Sequence, residues 1–268
     1  MMPQGTILSE IAARRTAAVA EEKRAVPEAE LRKAAKSRPP AADVPEALRR
    51  FPEDRFAVIA EFKRKSPSKG LLAPGLDAAS VASAYERGGA FAVSCLVEPY
   101  FFGGSLADLD AVRGAVSIPV LYKDFVVDPY QIWQARAHGA DLVLLIVGLL
   151  GTRLDEYLRA AREAGIEPLV EVHDALELEV ALSAGARVVG VNNRDLRTFR
   201  TELEVSERLL PRLLPGTGGV AESGIHERRD LKRLAKAGAK AFLVGESLVT
   251  SPDPETALKA LSRVSRWF

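Results

Sequence analysis

The stretch FAVIAEFKRKSPSKG, residues 56–70, passes from purely apolar to strongly charged within a few positions. Its first half is typical of a strand that is buried in a protein core. Glu61 and Lys63 then end the strand, and Ser, Pro and Gly follow, as expected for a loop. A buried strand with charged residues at its carboxyl end suggests that this end opens onto a polar site, provided that other strands end in the same way.

Seven further apolar runs, rich in Val, Ile and Leu, follow the first and alternate with longer amphipathic stretches. The runs are nearly continuous in hydrophobicity, as expected for parallel strands that are buried on both faces. Together they are FAVIAEF (56–62), AVSCL (92–96), PVLYK (119–123), LVLLI (142–146), EPLVEV (167–172), VVGVN (188–192), GVAE (219–222) and AFLV (241–244). Eight strand–helix units predict an α/β fold, a (β/α)8 TIM barrel, because an open doubly wound sheet typically has about five or six strands.

The first 50 residues lie outside this repeat. Apolar positions between Ile7 and Val19 fall on one helical face, and a second short helix is predicted from Pro27. The segment SRPPAADVP (37–45) then breaks the pattern. We therefore expect residues 1–50 to form an N-terminal helical extension that packs on the barrel, and residues 51–268 to form the barrel as a single catalytic domain.

The composition narrows the classes of partner. The chain has 37 basic and 36 acidic residues and a net charge of +1, which gives no reason to expect a nucleic acid or a membrane as partner. Cys95 is the only cysteine and there are three histidines, so we expect neither a disulfide nor a metal site. The N-terminus has no apolar signal region. These features predict a cytoplasmic protein.

Polar side chains end five of the eight predicted strands. In a barrel of this kind the carboxyl ends of the strands and the loops after them form the active-site mouth. The residues at these ends are Glu61 and Lys63, Lys123, Glu171, Asn192 with Arg194, and Glu222. A single charged residue that leaves a strand is usually solvated at the surface. Five strands that end in this way predict one shared polar site.

Glycine placement and apolar loops suggest the kind of ligand. Ser223-Gly224 and Gly245 follow strands seven and eight, where barrels commonly bind a phosphate through backbone N–H groups. Lys63 and Arg194 are candidate cations for this phosphate, and Ser66 is a candidate hydroxyl donor. Four apolar positions near the mouth suit an aromatic ring: Phe102, Phe125, Leu144 and Ile146.

The same stretches resemble, in order, the motifs of the indole-3-glycerol phosphate synthase family of tryptophan biosynthesis. They are IAEFKRKSPSKG, FFGGSLADL, PVLYKDFVVDPYQIWQARAHGADLVLLI, LVEVHDALELEVALSAGA, VVGVNNRDLRTF, VAESGIHERRDL and AFLVGESLV. The match covers nearly all of residues 55–250, and the KSPSKG, KDF and GVNNRDL elements are specific to the family. The resemblance implies a carboxy-lyase that converts 1-(2-carboxyphenylamino)-1-deoxyribulose 5-phosphate to indole-3-glycerol phosphate, CO2 and water. It implies neither a cofactor nor a metal.

The resemblance also implies roles for the residues at the mouth. Lys123 is expected to be the acid for ring closure, with its pKa lowered by burial and by neighbouring cations. Glu171 is expected to act in the dehydration with Lys63 or Lys123, and the division between the two lysines stays open. Supporting catalytic roles are implied for Glu61, Asn192 and Glu222. Phosphate contacts are implied for Ser66, Arg194, Ser223, Gly224, Gly245 and Glu246, and ring contacts for Phe102, Phe125, Leu144 and Ile146.

Two positions depart from the family pattern. Glu246 stands where some relatives have a small hydroxyl residue, so only its backbone N–H is suited to a phosphate. Asp43-Val44 stands where an aromatic residue is expected after the acid, which predicts weaker docking of the extension.

Two other functions are compatible with such a barrel. An Amadori-type isomerase would pair a Cys with an Asp at the mouth, but Cys95 lies within strand two and is predicted to be a small core residue. A barrel that binds a phosphorylated metabolite without turnover is the alternative from a different class. No fused domain is expected, because the chain ends soon after the eighth predicted helix.

Overall fold

The architecture is a closed barrel of eight parallel strands. The computed structural model describes residues 6–66, 70–72, 75–195, 198 and 200–264. Each strand pairs with its neighbours in chain order, and the first strand also pairs with the last. The strands are β1 (Ala57–Phe62), β2 (Ala92–Leu96), β3 (Val120–Lys123), β4 (Leu142–Ile146), β5 (Glu167–Val172), β6 (Val188–Asn192), β7 (Gly218–Glu222) and β8 (Ala241–Val244). The predicted fold class is confirmed, and every predicted strand agrees with the structure to within one residue.

Helices surround the barrel and precede it. They are α1 (Ile7–Ala25), α2 (Glu28–Ser37), α3 (Val44–Arg49), α4 (Ala78–Arg87), α5 (Leu106–Ala115), α6 (Tyr130–Ala137), α7 (Val147–Leu150), α8 (Leu154–Ala164), α9 (Ala175–Ser183), α10 (Glu204–Leu209), α11 (Arg228–Lys236), α12 (Glu246–Val249) and α13 (Pro254–Ser262). Side chains cap several helices at the amino end: Asp77, Ser105, Asp174 and Asp253 each accept a backbone N–H from the first turn. Such caps satisfy donors that have no partner within the helix.

The core has two parts, because alternate residues of each strand point to opposite faces of the sheet. One set packs against the helices and includes Phe62, Tyr122 and Phe242. The other set fills the barrel interior and includes Ile59, Leu121, Leu169 and Val220. The interior is therefore a packed core that supports the mouth from below.

The N-terminal extension follows the barrel from one end to the other. Arg15 of α1 contacts Asp124 beyond the carboxyl end of β3, and α2 packs against α6. The third helix was not predicted, because SRPPAADVP was interpreted only as a break. Asp43 caps this helix by accepting the N–H of Glu46 at 3.2 Å. Val44, the position that departs from the family pattern, is 1% exposed and joins the interior core.

A short antiparallel hairpin follows β1 and was also not predicted. Lys65–Ser66 pairs with Gly70–Leu71, and Gly70 has a φ of +68°, which favours glycine. Residues 67–69, which complete the KSPSKG motif, lie outside the described residues.

Candidate active site

A cavity of about 150 Å³ opens at the carboxyl ends of the strands. It collects nearly all the residues that the sequence placed at the mouth. They are Glu61, Lys63, Phe102, Lys123, Phe125, Leu144, Ile146, Glu171, Asn192, Arg194, Ser223, Gly224, Gly245 and Glu246. Ser66 and Glu222 do not line it. Residues of all eight strands or the loops after them thus meet in one space, as their common position at strand ends requires.

Three carboxylates and two lysines form a charged cluster at the base of the cavity: Glu61, Lys63, Lys123, Glu171 and Glu222. The ammonium of Lys123 donates to Oε2 of Glu222 at 3.0 Å and lies 3.3 Å from Oε2 of Glu61. Lys63 donates to the other oxygen of Glu61 at 2.7 Å. Glu61 therefore bridges the two lysines and fixes the distance between them.

The cluster shifts the pKa of Lys123 in the direction opposite to the sequence-based expectation. Burial acts to lower the pKa of this ammonium, but the charges of Glu222, Glu61 and Glu171 outweigh it and raise the pKa above its ordinary value. The expectation was wrong because it assumed neighbouring cations, whereas the nearest charges are carboxylates. Lys123 is therefore fully protonated at neutral pH.

The carboxylates of Glu61 and Glu222 respond oppositely to their surroundings. Burial acts to raise the pKa of Glu61, but the ammonium groups of Lys63 and Lys123 lower it to about 2. The pKa of Glu222 is raised to about 7, first by burial and then by the charges of Glu171 and Glu61, against the opposing effect of Lys123. Glu61 is therefore ionised throughout the physiological range, while Glu222 exchanges a proton near neutral pH.

The side chain of Glu222 fits only because the neighbouring strand β6 has a glycine beside it. A Cβ atom on Gly190 of β6 would lie 2.0 Å from Oε1 of Glu222. Glu222 is fully buried and contacts Lys123. The structure thus connects Glu222 to the cavity through Lys123, and it does not place this carboxylate where a substrate hydroxyl would reach it directly.

Glu171 is nearly buried and is approached by a histidine that sequence reasoning missed. Nε2 of His173 lies 3.2 Å from Oε1 of Glu171, which makes an ion pair when the ring is protonated, although the contact does not meet the geometry of a hydrogen bond. Burial acts to raise the pKa of Glu171, but His173, Lys123 and Asn192 lower it below the ordinary value. The only signal in the sequence was that His173 directly follows the strand EPLVEV.

The loop after β7 has an unusual backbone. Ser223 has a φ of +67° and is the only non-glycine with a positive φ in the part of the chain that the structure describes. Such a conformation costs on the order of 1 kcal/mol and tends to persist at functional sites. A Cβ atom on Gly224 would lie 2.4 Å from the Thr201 side chain, so no larger residue fits there.

The loop after β8 lies directly against the charged cluster. A Cβ atom on Gly245 would lie 2.6 Å from Oε1 of Glu61. Gly245 precedes the short helix α12, which starts at Glu246. Ser66, by contrast, is 8% exposed and its hydroxyl has no hydrogen-bond partner among the described residues. The structure therefore brings the two glycine loops to the cavity and leaves Ser66 outside its lining.

Two aromatic rings form one wall of the cavity. The rings of Phe102 and Phe125 lie 5.9 Å apart with a tilt of 32°. The loop that carries Phe102 is organised by Glu98, a fully buried residue that the sequence analysis did not identify. Its carboxylate accepts the backbone N–H groups of Tyr100, Phe101 and Phe102 at 2.7–3.0 Å. A buried charge with three backbone donors fixes the direction of this loop.

Asp124 lines the cavity next to Lys123 but is committed to structural contacts. Its carboxylate accepts hydrogen bonds from Arg15 at 2.8 Å, from Tyr122 at 2.8 Å and from Gln131 at 2.9 Å. These partners come from α1, β3 and α6. The contacts hold the carboxyl end of β3, and therefore Lys123, against the N-terminal helix.

Cys95 does not contribute to the cavity. It is fully buried within β2, and burial raises the pKa of its thiol. The thiol is not among the groups that line the mouth. This placement agrees with its prediction as a core residue and removes the Cys–Asp pair that the isomerase alternative requires.

No helix in residues 6–66, 70–72, 75–195, 198 and 200–264 combines the length and the apolar character that a membrane span needs.

Known structures confirm the fold at low sequence identity. A thiamine phosphate pyrophosphorylase from Pyrococcus furiosus has a TM-score of 0.58 and 16% identity, over 76% of this chain and 92% of the other. An N-acetylmannosamine-6-phosphate 2-epimerase from Clostridium perfringens has a TM-score of 0.57 and 14% identity, over 71% and 86%. At such identities the likeness concerns the fold alone.

Sequence comparisons are more specific. The family model described as Indole-3-glycerol phosphate synthase matches residues 8–261. An indole-3-glycerol phosphate synthase from Mycobacteroides abscessus is 51% identical over 261 residues, which cover 97% of this chain and 95% of the relative. Indole-3-glycerol phosphate synthase 1 from Streptomyces coelicolor is 53% identical over 230 residues, which cover 85% and 84%. The chain therefore belongs to the indole-3-glycerol phosphate synthase family, the carboxy-lyases of tryptophan biosynthesis.

Proposed function

We propose that the substrate is 1-(2-carboxyphenylamino)-1-deoxyribulose 5-phosphate and that the cavity described above converts it to indole-3-glycerol phosphate. The observation that carries this proposal is that the protonated Lys123 lines one cavity together with an aromatic wall and two glycine loops. The wall of Phe102, Phe125, Leu144 and Ile146 suits the benzoate ring. The loops at Ser223-Gly224 and Gly245 suit the phosphate.

In the first step, the ring carbon that carries the carboxylate attacks the ketone. The ketone oxygen gains negative charge as the carbon–carbon bond forms, and Lys123 is placed to give it a proton. The raised pKa keeps the Lys123 side chain protonated, so that it can donate this proton to the ketone oxygen. Lys63 and Arg194 also line the cavity, and we assign the substrate carboxylate to Lys63 and a supporting phosphate contact to Arg194.

The second step is the loss of CO2. Ring closure leaves an iminium nitrogen conjugated to the carbon that holds the carboxylate. Cleavage of the carbon–carboxylate bond returns its electron pair to the ring system and restores aromaticity. The step therefore needs no proton from the protein, and the contribution of Lys63 is to orient the leaving carboxylate.

The third step is the loss of water. A lysine protonates the new hydroxyl, and Glu171 removes a proton from the adjacent carbon. The lowered pKa of Glu171 keeps it ionised and able to accept that proton at neutral pH. Glu61 and Glu222 orient the lysines through their ion pairs. We assign Asn192 to a substrate hydroxyl, because its side chain lines the cavity beside Glu171. Ser66 and Glu246 are assigned to the phosphate, Glu246 through its backbone N–H, and Ser66 would have to move to reach it.

The direct test is to mix the purified protein with this substrate, without added metal or cofactor, and to follow indole fluorescence and CO2 release. The expected result is stoichiometric formation of both products. Glu171→Gln is the matched control, because it keeps the shape of the side chain and removes the base. Tight binding of the substrate by the wild type with neither product would favour the alternative, a barrel that binds a phosphorylated metabolite without turnover.

We also propose that the protein acts in the cytoplasm. The buried free thiol of Cys95 supports this, since reducing compartments maintain such thiols. Fractionation of the producing cells, followed by detection of the protein, is the corresponding measurement.

A further inference from the structure

His173 lies at the end of β5, outside the cavity, and is held from two sides. Its backbone N–H donates to Oε2 of Glu177 at 2.7 Å, and its ring Nδ1 lies 3.0 Å from the same oxygen. Glu177 belongs to the first turn of α9, whose cap Asp174 accepts the N–H of Glu177 at 2.9 Å. A single carboxylate oxygen thus fixes both the backbone and the ring of His173.

The anchor is itself supported by the neighbouring unit of the barrel. A Cβ atom on Gly148 of α7 would lie 2.7 Å from Oε1 of Glu177, so glycine at this position makes room for the carboxylate. With Nδ1 tied to Glu177, the opposite nitrogen, Nε2, is turned toward Glu171 at 3.2 Å. The ring does not line the cavity, so it reaches Glu171 from the side away from the substrate.

The charge of the cluster gives this contact a purpose. When Glu222 is ionised, the carboxylates of the cluster outnumber its lysines by one: Glu61, Glu171 and Glu222 stand against Lys63 and Lys123. Lys63 makes its closest ion pair with Glu61, and Lys123 makes its closest ion pair with Glu222. Glu171 is therefore the carboxylate without a lysine of its own, and an imidazolium at His173 supplies the missing positive charge.

We propose that His173 is a positioning residue: anchored by Glu177, it presents a cationic ring to Glu171 and holds that carboxylate ionised and directed into the cavity. The inference rests on the proposed function, in which Glu171 is the base. The charged groups that face the ring are Glu171 on its own strand and Glu177 on α9, and Lys123 of β3 acts on Glu171 as well. Burial alone would lower the pKa of His173, but the two carboxylates raise it to about 10.

Loss of the imidazolium should change how activity depends on pH. The pKa of Glu171 is now lower than its ordinary value. Without His173 the burial of this carboxylate is less opposed, so its pKa rises and a smaller fraction is ionised at a given acidic pH. The acidic limb of kcat then moves to higher pH. Substrate contacts are unchanged, so KM should change little.

The experiment compares kcat and KM of the wild type and His173→Asn from about pH 3.5 to pH 9, because the acidic limb of the wild type lies below the ordinary carboxyl pKa. We expect the acidic limb of kcat to shift upward by about one to two pH units, with KM changed by less than about threefold. The matched control is His138→Asn. His138 also contacts a carboxylate, Asp110 at 2.7 Å, but lies outside the cavity, and its substitution should leave the pH profile unchanged.

A second variant protects the test against a folding defect. Glu177→Gln keeps the shape of the anchor and removes its charge, so it should shift the limb in the same direction by a smaller amount. If the wild type is active and His173→Asn has the same acidic limb of kcat, the role of His173 is overturned and the proposed function stays intact. If His173→Asn does not fold, the same comparison is made with Glu177→Gln. An inactive wild type would overturn both.

Discussion

Two layers of the barrel interior lie two residues apart along the strands, and one is apolar whereas the other is charged. The lower layer consists of apolar residues: Ile59, Leu121, Leu169 and Val220. The upper layer, two residues further along the same four strands, is charged: Glu61, Lys123, Glu171 and Glu222. Because residues two apart on a strand are only about 7 Å apart, apolar packing and buried charge share one continuous interior.

The difference shows how one core can serve two purposes. Buried apolar side chains stabilise the fold by leaving water, whereas buried charges cost free energy that their partners offset only in part. The packed lower layer holds the strand ends in place, which keeps the upper layer preorganised for chemistry. Substitutions in the two layers should therefore separate stability from activity.

The largest expected effect is in the upper layer. Lys123→Ala should lower kcat/KM by at least about 1,000-fold, because it removes the acid for ring closure. The fold should persist, since Glu222 can take up a proton once its cation is gone. The measurement is turnover together with circular dichroism. Lys240→Ala, an exposed lysine just before β8 at the opposite end, is the control and should be fully active. Near-normal activity of Lys123→Ala would exclude this lysine as the acid.

The counterpart in the lower layer is Leu121→Ala, two residues earlier on the same strand. Leu121 is fully buried, so its truncation should lower the free energy of unfolding by about 3 to 4 kcal/mol. At 25 °C kcat should stay within about threefold of the wild type. Urea denaturation measures the first value and steady-state kinetics the second. Leu214→Ala, at a side chain that is 56% exposed, should change stability little. Loss of activity without loss of stability in Leu121→Ala would contradict the separation.

A smaller effect concerns the loss of folding stability that results when the buried Glu222 becomes charged. The pKa of Glu222 is about 7 in the folded chain, above its ordinary value, so its contribution to stability is complete below about pH 4.5 and is lost as the pH rises through 7. Glu222→Gln removes this loss. Between pH 5 and pH 8 the wild type should lose as much as about 3 kcal/mol relative to the variant. Parallel stability curves in urea at the two pH values would show that Glu222 is not the group that titrates.

The smallest effect tests backbone strain at the mouth. Ser223→Gly relieves the left-handed conformation and should raise the free energy of unfolding by about 0.5 to 1 kcal/mol. Ser223→Ala keeps the strain and removes only the hydroxyl, so it serves as the matched control. Chemical denaturation of both variants gives the comparison. Equal stabilities would mean that the loop accommodates the positive φ without cost.

The prediction from sequence was accurate for the strands because their signal is local. Each strand is a short apolar run that glycine and polar residues bound, and burial on both faces makes such runs continuous. The helix α3 was missed for a related reason: Pro39, Pro40 and Pro45 mark a break, yet Asp43 and Pro45 also form a helix start. The pattern alone does not distinguish the end of one element from the start of the next.

The candidate site was predicted in its members but not in its electrostatics. That Glu61, Lys123 and Glu171 would meet follows from barrel topology. Which charges face one another depends on register and side-chain direction, and this is why the direction of the Lys123 pKa shift was wrong. His173 and Glu98 were missed because they act through other residues, and a pattern of strand ends contains no information about such support.

The contact between Arg15 and Asp124 has a consequence for synthesis of the chain. The two residues are 109 positions apart, and Asp124 is the partner that buries the guanidinium of the first helix. At about 5 to 20 residues per second, Arg15 is synthesised roughly 5 to 20 s before Asp124. During that interval the apolar face of α1 and the side chain of Arg15 lack their native surroundings. The first helix to be translated is therefore among the later ones to reach its final environment, and the mouth beside Lys123 is completed only when it does.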